Sequence, residues 1–370
     1  MFPPRRLPGR FATSRSASRA FCVKLIQRGD SGDGELVKRA GLHEVARIIR
    51  MFQSEKLVRT FLVAALTICA CSSGLRSAEV IERPFRGITM ISRTESTPRN
   101  LTIHIVKIDL TASGIAFKLT PPGGALETVR QTTLDFLKQE HAQVAINGHF
   151  FLPFPSTNTA ADVIGLAASD GTVFSAFETP VQSYAIVDHA PAINLDRSNH
   201  ARIVHCDMRF PEGKHVQEKV RLWNTLAGSA QIITNGIRTI PSYAGLQNPS
   251  ALLTPGGPRN YSGTNSWYDA LQARTAIGLS RNNKTLYLFT VDRAGGSLGM
   301  QVGEVADLLI RDYRVYNALN LDGGGSTSMA MEIPMTHQGA MVNKSSDTPD
   351  GRAVGSSLAV FARPLPGGVR

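Results

Sequence analysis

The chain has 370 residues, 42% of them hydrophobic, enough apolar material for one sizeable core. Its net charge of +11 invites a nucleic-acid or membrane reading, but the surplus is unevenly placed. Of 40 basic and 29 acidic residues, 13 and 5 lie within residues 1–60, which leaves 27 and 24 for the rest. A nearly balanced remainder argues against a nucleic-acid partner.

The segment "MFQSEKLVRTFLVAALTICACSSGLRSAE" begins at Met51. Lys56 and Arg59 precede an 11-residue apolar core, residues 61–71, and small residues follow. That is the anatomy of a secretory signal, too short for the roughly 20 residues of a membrane span. Fifty residues precede it, so two accounts stand: Met51 is the true start, or residues 1–50 are a targeting extension, as "RRLPGRFATSRSASR" could mimic. We assign 1–50 to that mis-assigned or targeting extension, 51–78 to the signal and 79–366 to a single folded domain. Processing leaves Cys206 as the certain survivor of Cys22, Cys69, Cys71 and Cys206, so no disulfide framework is expected. Cys71 follows "ICA", an imperfect lipoprotein pattern, so a lipid anchor there stands beside ordinary cleavage. Either implies export to the periplasm, cell surface or medium, with membrane contact only through the signal or that anchor.

Beyond residue 80 the elements read as mixed α/β. "LTIHIVKIDL" (101–110) alternates as a strand does, and "GIAFKLTPP" reads as its hairpin or meander partner. Leu126, Val129, Phe136 and Leu137 recur at helical spacing, and "VAIN" is a short strand ending at Gly148. Residues 223–236 suggest a strand closing on an Asn-Gly turn, and 247–266 a long polar surface loop. Residues 285–291 form a continuous apolar run, 302–313 carry the stripe Val302, Val305, Ala306 and Leu309, and 315–321 form another strand. The expected fold is therefore a mixed β-sheet with a βαβ unit near the C-terminus and flanking helices.

In that arrangement Asp292 and Asp322 end the two strands of the unit, and Glu304 opens the helix between them. Ligands of open α/β sheets bind beyond strand carboxyl ends. Period-two alternation puts Asn320 on the face of Asp322, so the reading gathers three carboxylates and an amide on one rim. Three glycines, Gly323 to Gly325, follow Asp322 and precede Ser326; they serve either a tight turn or a ligand's close approach. Asp292 and Asp322 could act as an acid/base or acid/nucleophile pair; equally, both cap strands, as Asp often does. With Glu304 and Asn147 they are hard oxygen donors of the kind Ca²⁺ or Mg²⁺ takes, but no contiguous ligand loop is present, and no cofactor is required by the pattern. His149 is either an acid/base or a packed histidine beside Phe150 and Phe151. Arg274 and Arg352 offer planar forks for phosphate or carboxylate, or structural ion pairs. The absence of Gly-Lys-Ser/Thr after the glycines excludes a P-loop.

Taken in order, "AINGHFF", "ARTAIGLS", "LFTVDR", "GEVADLL", "LNLDGGGSTSM" and "GRAV" resemble the phosphodiester glycosidase family over about residues 100–362. The resemblance implies hydrolysis of a sugar-1-phosphodiester of the N-acetylglucosamine kind. Its site would comprise Asn147, Gly148, Arg274, Asp292, Glu304, Asn320, Asp322 with Gly323, Gly324, Gly325 and Ser326, and Arg352, with His149 in a variable-looking slot. Chemistry then suggests Asp322 as nucleophile or base, Asp292 or Glu304 as its orienter or proton donor, and the arginines as binders of the departing phosphate. Competing readings are an ordinary exoglycosidase or cell-wall polysaccharide-processing enzyme, and an inert carbohydrate-binding surface protein.

Overall fold

The computed structural model describes residues 77–241 and 267–365, all within a unit spanning Leu75–Arg370. The proposed signal up to Arg76, Cys71 and the 247–266 loop lie outside the described residues. Strands dominate, with two α-helices among the described residues.

The main sheet has eight strands in the order Ala78–Glu82, Ile88–Glu95, Leu101–Asp109, Thr285–Val291, Arg274–Leu279, Asn317–Asn320, Ala230–Thr234, Ile237–Arg238. Every neighbouring pair in it is antiparallel. Alternation sorts the side chains. Ile103, Ile105, Phe289 and Val291 face the helix Val302–Tyr313, which buries Val302, Val305, Ala306 and Leu309 against them. Val106, Ile108, Leu286 and Leu288 face the other way. There they meet Val144, Ile146, Leu358 and Val360 of a five-stranded sheet ordered Gln338–Met341, Met329–Ile333, Val144–Asn147, Ser357–Phe361, Ala116–Leu119. A further five-stranded sheet is ordered Thr172–Ser175, Ala167–Ser169, Asn224–Ala227, Ala192–Leu195, Ala201–Val204.

Strand, helix and strand do follow one another over Thr285–Val291, Val302–Tyr313 and Asn317–Asn320. The two strands are not neighbours, however. Arg274–Leu279 lies between them and is antiparallel to both. They therefore run parallel to each other but two strand spacings apart, about 10 Å rather than about 5 Å. The strand that separates them comes from just upstream in the chain, a pairing that local periodicity does not encode.

Three local expectations change for similar reasons. Ala116–Leu119 pairs with Ser357–Phe361 in the second sheet and not with Leu101–Asp109. The helix around residue 130 is confined to Thr133–Glu140, because Thr132 caps it: its side chain accepts the Asp135 N–H at 3.0 Å. Leu126 and Val129 are consequently exposed and outside it. The 223–236 stretch forms two strands in different sheets, Asn224–Ala227 and Ala230–Thr234. The changeover is held where the Ser229 N–H donates to the Asn320 carbonyl at 2.7 Å.

Candidate active site

The glycine loop after Asn317–Asn320 forms part of a pocket of about 350 Å³, a size suited to a small ligand. Asn147 holds both ends of the loop. Its Nδ2 donates to the Asp322 carbonyl at 2.7 Å, and its Oδ1 accepts the Ser328 N–H at 3.0 Å and the Thr275 hydroxyl at 2.8 Å. The Gly148 carbonyl accepts the Asp322 N–H at 3.1 Å. These two residues of the "AINGHFF" strand end thus position Asp322 from behind, without lining the pocket.

The three glycines have separate reasons. Gly324 has φ +60°, a left-handed conformation that disfavours side chains. A methyl on Gly323 would lie 2.9 Å from the Ala273 carbonyl oxygen. One on Gly325 would lie 2.2 Å from a guanidinium nitrogen of Arg352. The loop therefore lets Arg352 pass across it into the pocket.

Asp322 is the carboxylate of this pocket. It is 9% exposed, and burial pushes its pKa up to about 7, against the opposing influence of the Ser326 hydroxyl, Arg352 and the Gly323 N–H. Arg352 donates through Nε to Asp347 at 2.6 Å and through Nη1 to the Ser326 hydroxyl at 3.4 Å, with its guanidinium carbon 4.5 Å from the Phe154 ring centroid. Ser326 thus touches both the acid and the cation. The walls are aromatic: Phe150, Tyr184 and Trp267 line the pocket, Phe150 and Trp267 meeting edge to face at 6.4 Å, with Gln182 and Gln272 as amides. Flat apolar faces beside amide groups suit a sugar ring, whose faces are C–H-rich and whose rim is hydroxylated.

The other residues expected at the site lie elsewhere. Glu304 does not line the pocket. It caps the Val302–Tyr313 helix, accepting the Gln301 N–H at 2.8 Å, and pairs with Arg99. Asp292 is 2% exposed and sits with His104, whose Nε2 is 3.7 Å away, while its Oδ2 accepts the Lys344 N–H at 3.0 Å. The expected convergence of Asp292, Glu304 and Asp322 on one rim is therefore not what the fold builds, because the intervening strand separates Asp292 from Asp322. Asn320 is buried and donates to the Ser229 hydroxyl at 2.9 Å. Arg274 is fully buried, donates to the carbonyls of Met300 (3.0 Å), Trp267 (2.7 Å) and Ala270, and stacks 4.7 Å from the Trp267 ring centroid. It holds a pocket wall in place rather than facing a ligand. His149 is fully buried between the Ser356 hydroxyl (2.8 Å) and the Ala227 N–H (2.9 Å), and burial pushes its pKa down to about 4. Its Nε2 also lies 3.1 Å from the Leu166 carbonyl, so both ring nitrogens are occupied by protein groups.

Among the described residues no three His, Cys, Asp or Glu side chains gather as a metal site. The oxygen donors considered for Ca²⁺ or Mg²⁺ are dispersed: Asp292 and Glu304 are engaged as above, and Asn147 holds the loop. Sequence reasoning named Asp322, the glycines, Ser326 and Arg352 but passed over Tyr184, Trp267, Gln182 and Gln272. Trp267, one of two tryptophans in the chain, directly follows the polar 247–266 stretch, which is the signal that could have marked it.

An acidic group beside an arginine inside an aromatic pocket suits a small ligand that offers both a flat apolar face and an anionic group. The phosphodiester glycosidase family matches residues 140–361, more than half of the chain, and the protein belongs to that family. Among solved structures, the catalytic domain of zebrafish N-acetylglucosamine-1-phosphodiester alpha-N-acetylglucosaminidase, auto-inhibited by its pro-peptide, is similar at 20% identity and a TM-score of 0.49, over 79% of this chain and 85% of that one. A hypothetical protein from Synechocystis is similar at 15% identity and a TM-score of 0.49, over 78% and 68%. No curated protein sequence gives a significant match.

Proposed function

We propose that the protein is an exported hydrolase that cleaves the bond between the anomeric carbon of a sugar and a phosphodiester. The observation that carries this reading is the placement of Asp322 and Arg352 on one pocket, joined through Ser326. In this scheme the sugar packs on Phe150, Tyr184 and Trp267, and its phosphate meets Arg352. Ionised Asp322 takes a proton from water as the water oxygen bonds to the anomeric carbon. The C–O bond breaks, and its electron pair leaves with a phosphomonoester whose charge Arg352 offsets. A phosphate leaving group is weakly basic and needs no strong general acid. That is why one carboxylate suffices where an ordinary glycosidase uses two. Export rests on the signal-like segment preceding the domain; no helix among the described residues is long and apolar enough to cross a membrane.

The test is a panel of sugar-1-phosphodiesters and matched simple glycosides, with Asp322→Asn and Arg352→Gln. We expect cleavage of the diesters, reduced about 10²–10⁴-fold in Asp322→Asn, with Arg352→Gln losing the preference for diesters. Equal rates on simple glycosides would move the protein to the ordinary glycosidases, and full activity in Asp322→Asn would place the chemistry on another residue.

A further inference from the structure

A second, larger depression of about 850 Å³ opens at the far end of the main sheet. The Arg274–Leu279 strand connects the two ends. Beside Arg274, the Ala273 carbonyl accepts the Gly324 N–H at 2.8 Å, while past Leu279 the chain turns through residues 282–284 that line the depression. Six strand residues at about 3.4 Å each separate it from the Asp322 pocket by roughly 20 Å.

Its walls are tied together. Asn199 Nδ2 donates to the Ile115 carbonyl at 2.7 Å, the Leu110 N–H to the Lys284 carbonyl at 2.9 Å, and Asn194 Nδ2 to the Arg221 carbonyl at 3.0 Å. Its charge is one-sided. Arg202, Lys219, Arg221 and Lys284 line it, all exposed, and none forms an ion pair within the described residues. The one lining carboxylate, Asp196, is already engaged by His200 Nδ1 at 2.9 Å and by the N–H groups of Ser198 and His200 at 2.8 and 2.9 Å. Four uncompensated cations around one concavity repel one another and attract a ligand with several negative charges. Guanidinium forks fit phosphate oxygens, and the amides between them fit hydroxyls.

We propose that this depression binds a phosphate-bearing glycan chain, holding an anionic polymer while one of its ends reaches the Asp322 pocket. The choice of phosphate among anions rests on the function proposed for that pocket; the choice of a polyanion rests on the depression alone.

The experiment measures binding of the purified full chain to fluorescently labelled poly(glycerol phosphate), by anisotropy at several salt concentrations. Polygalacturonate, neutral dextran and a single-stranded DNA serve as comparison ligands. The variant carries Arg202→Gln, Lys219→Gln, Arg221→Gln and Lys284→Gln. A control carries Arg83→Gln, Lys138→Gln, Lys214→Gln and Arg314→Gln, exposed cations that do not line the depression. Binding of the phosphate polymer should weaken with salt and fall by about tenfold or more in the variant, but not in the control. It should persist in Asp322→Asn, so a failure of the hydrolytic reading leaves this result legible. Unchanged affinity in the variant, or equal binding of dextran, would overturn the proposal. Equal binding of polygalacturonate would remove phosphate as the recognised group, and tighter binding of DNA would make the site one for nucleic acid. If the quadruple variant unfolds early, Arg202→Gln, on the strand Ala201–Val204, and Lys284→Gln, just before the strand Thr285–Val291, carry the same comparison singly.

Discussion

Asp322 should weaken the fold that holds it. Its ordinary value of 3.8 is raised to about 7 by burial. A raised carboxyl pKa means that the folded state keeps a proton the unfolded chain has already lost. Below pH 3.8 both states are protonated and Asp322 costs nothing. Between pH 3.8 and 7 the unfolded state ionises first, so stability declines as pH rises, and above 7 the full penalty applies. The separation of the two values corresponds to about 4 kcal/mol at most. Asn has the same shape without the charge. Asp322→Asn should therefore match the native protein at pH 4 and exceed it by up to about 4 kcal/mol at pH 8, a gain of roughly 8 °C in melting temperature. Urea titrations of both proteins from pH 4 to pH 8 measure it. A difference independent of pH would show that Asp322 does not titrate near 7. A variant less stable than the native protein at pH 8 would show that Arg352 and Ser326 outweigh burial and hold the carboxylate ionised.

Catalysis should follow the same group with the opposite sense: kcat/KM should rise with pH and level off above about 7, because the base must be ionised; a rate that falls over that range would make Asp322 the proton donor. Gly325→Ala should act as a remote Arg352 deletion, since its methyl would meet the guanidinium at 2.2 Å and a flexible side chain gives way more readily than the loop. Losing that charged contact should reduce kcat/KM on diesters by about ten- to a hundredfold, with circular dichroism unchanged; native activity would mean that Arg352 does not contact the phosphate. Glu304→Ala should cost about 1 kcal/mol of stability through the lost helix cap, with Glu304→Gln costing less. Catalytic rate should stay near native, and a collapse of kcat in the soluble, folded variant would return Glu304 to the chemistry.

Some of this protein was set by local sequence. The apolar run Thr285–Val291, the striped helix Val302–Tyr313 and the strand end "VAIN" form where their patterns place them, because alternation and 3.6-residue spacing act over a few residues. The glycine loop was legible too. Asp322, Gly323 to Gly325, Ser326 and, from a distant motif, Arg352 meet at one pocket. What the chain order could not carry was lateral placement. Inserting Arg274–Leu279 between two strands of the expected unit moves Asp292 away from Asp322, and no periodicity within 285–320 reports a strand inserted from outside it. Polar residues at strand ends look alike in sequence whether they face a ligand or a neighbour. Tertiary contacts alone turned Asn147 into a loop clamp, Arg274 into the support of Trp267, His149 into a buried neutral ring and Glu304 into a helix cap. Two aromatic walls were hidden for the same reason: Tyr184 and Trp267 come from stretches of chain separate from each other and from Phe150, and only the folded sheets bring their faces around one carboxylate.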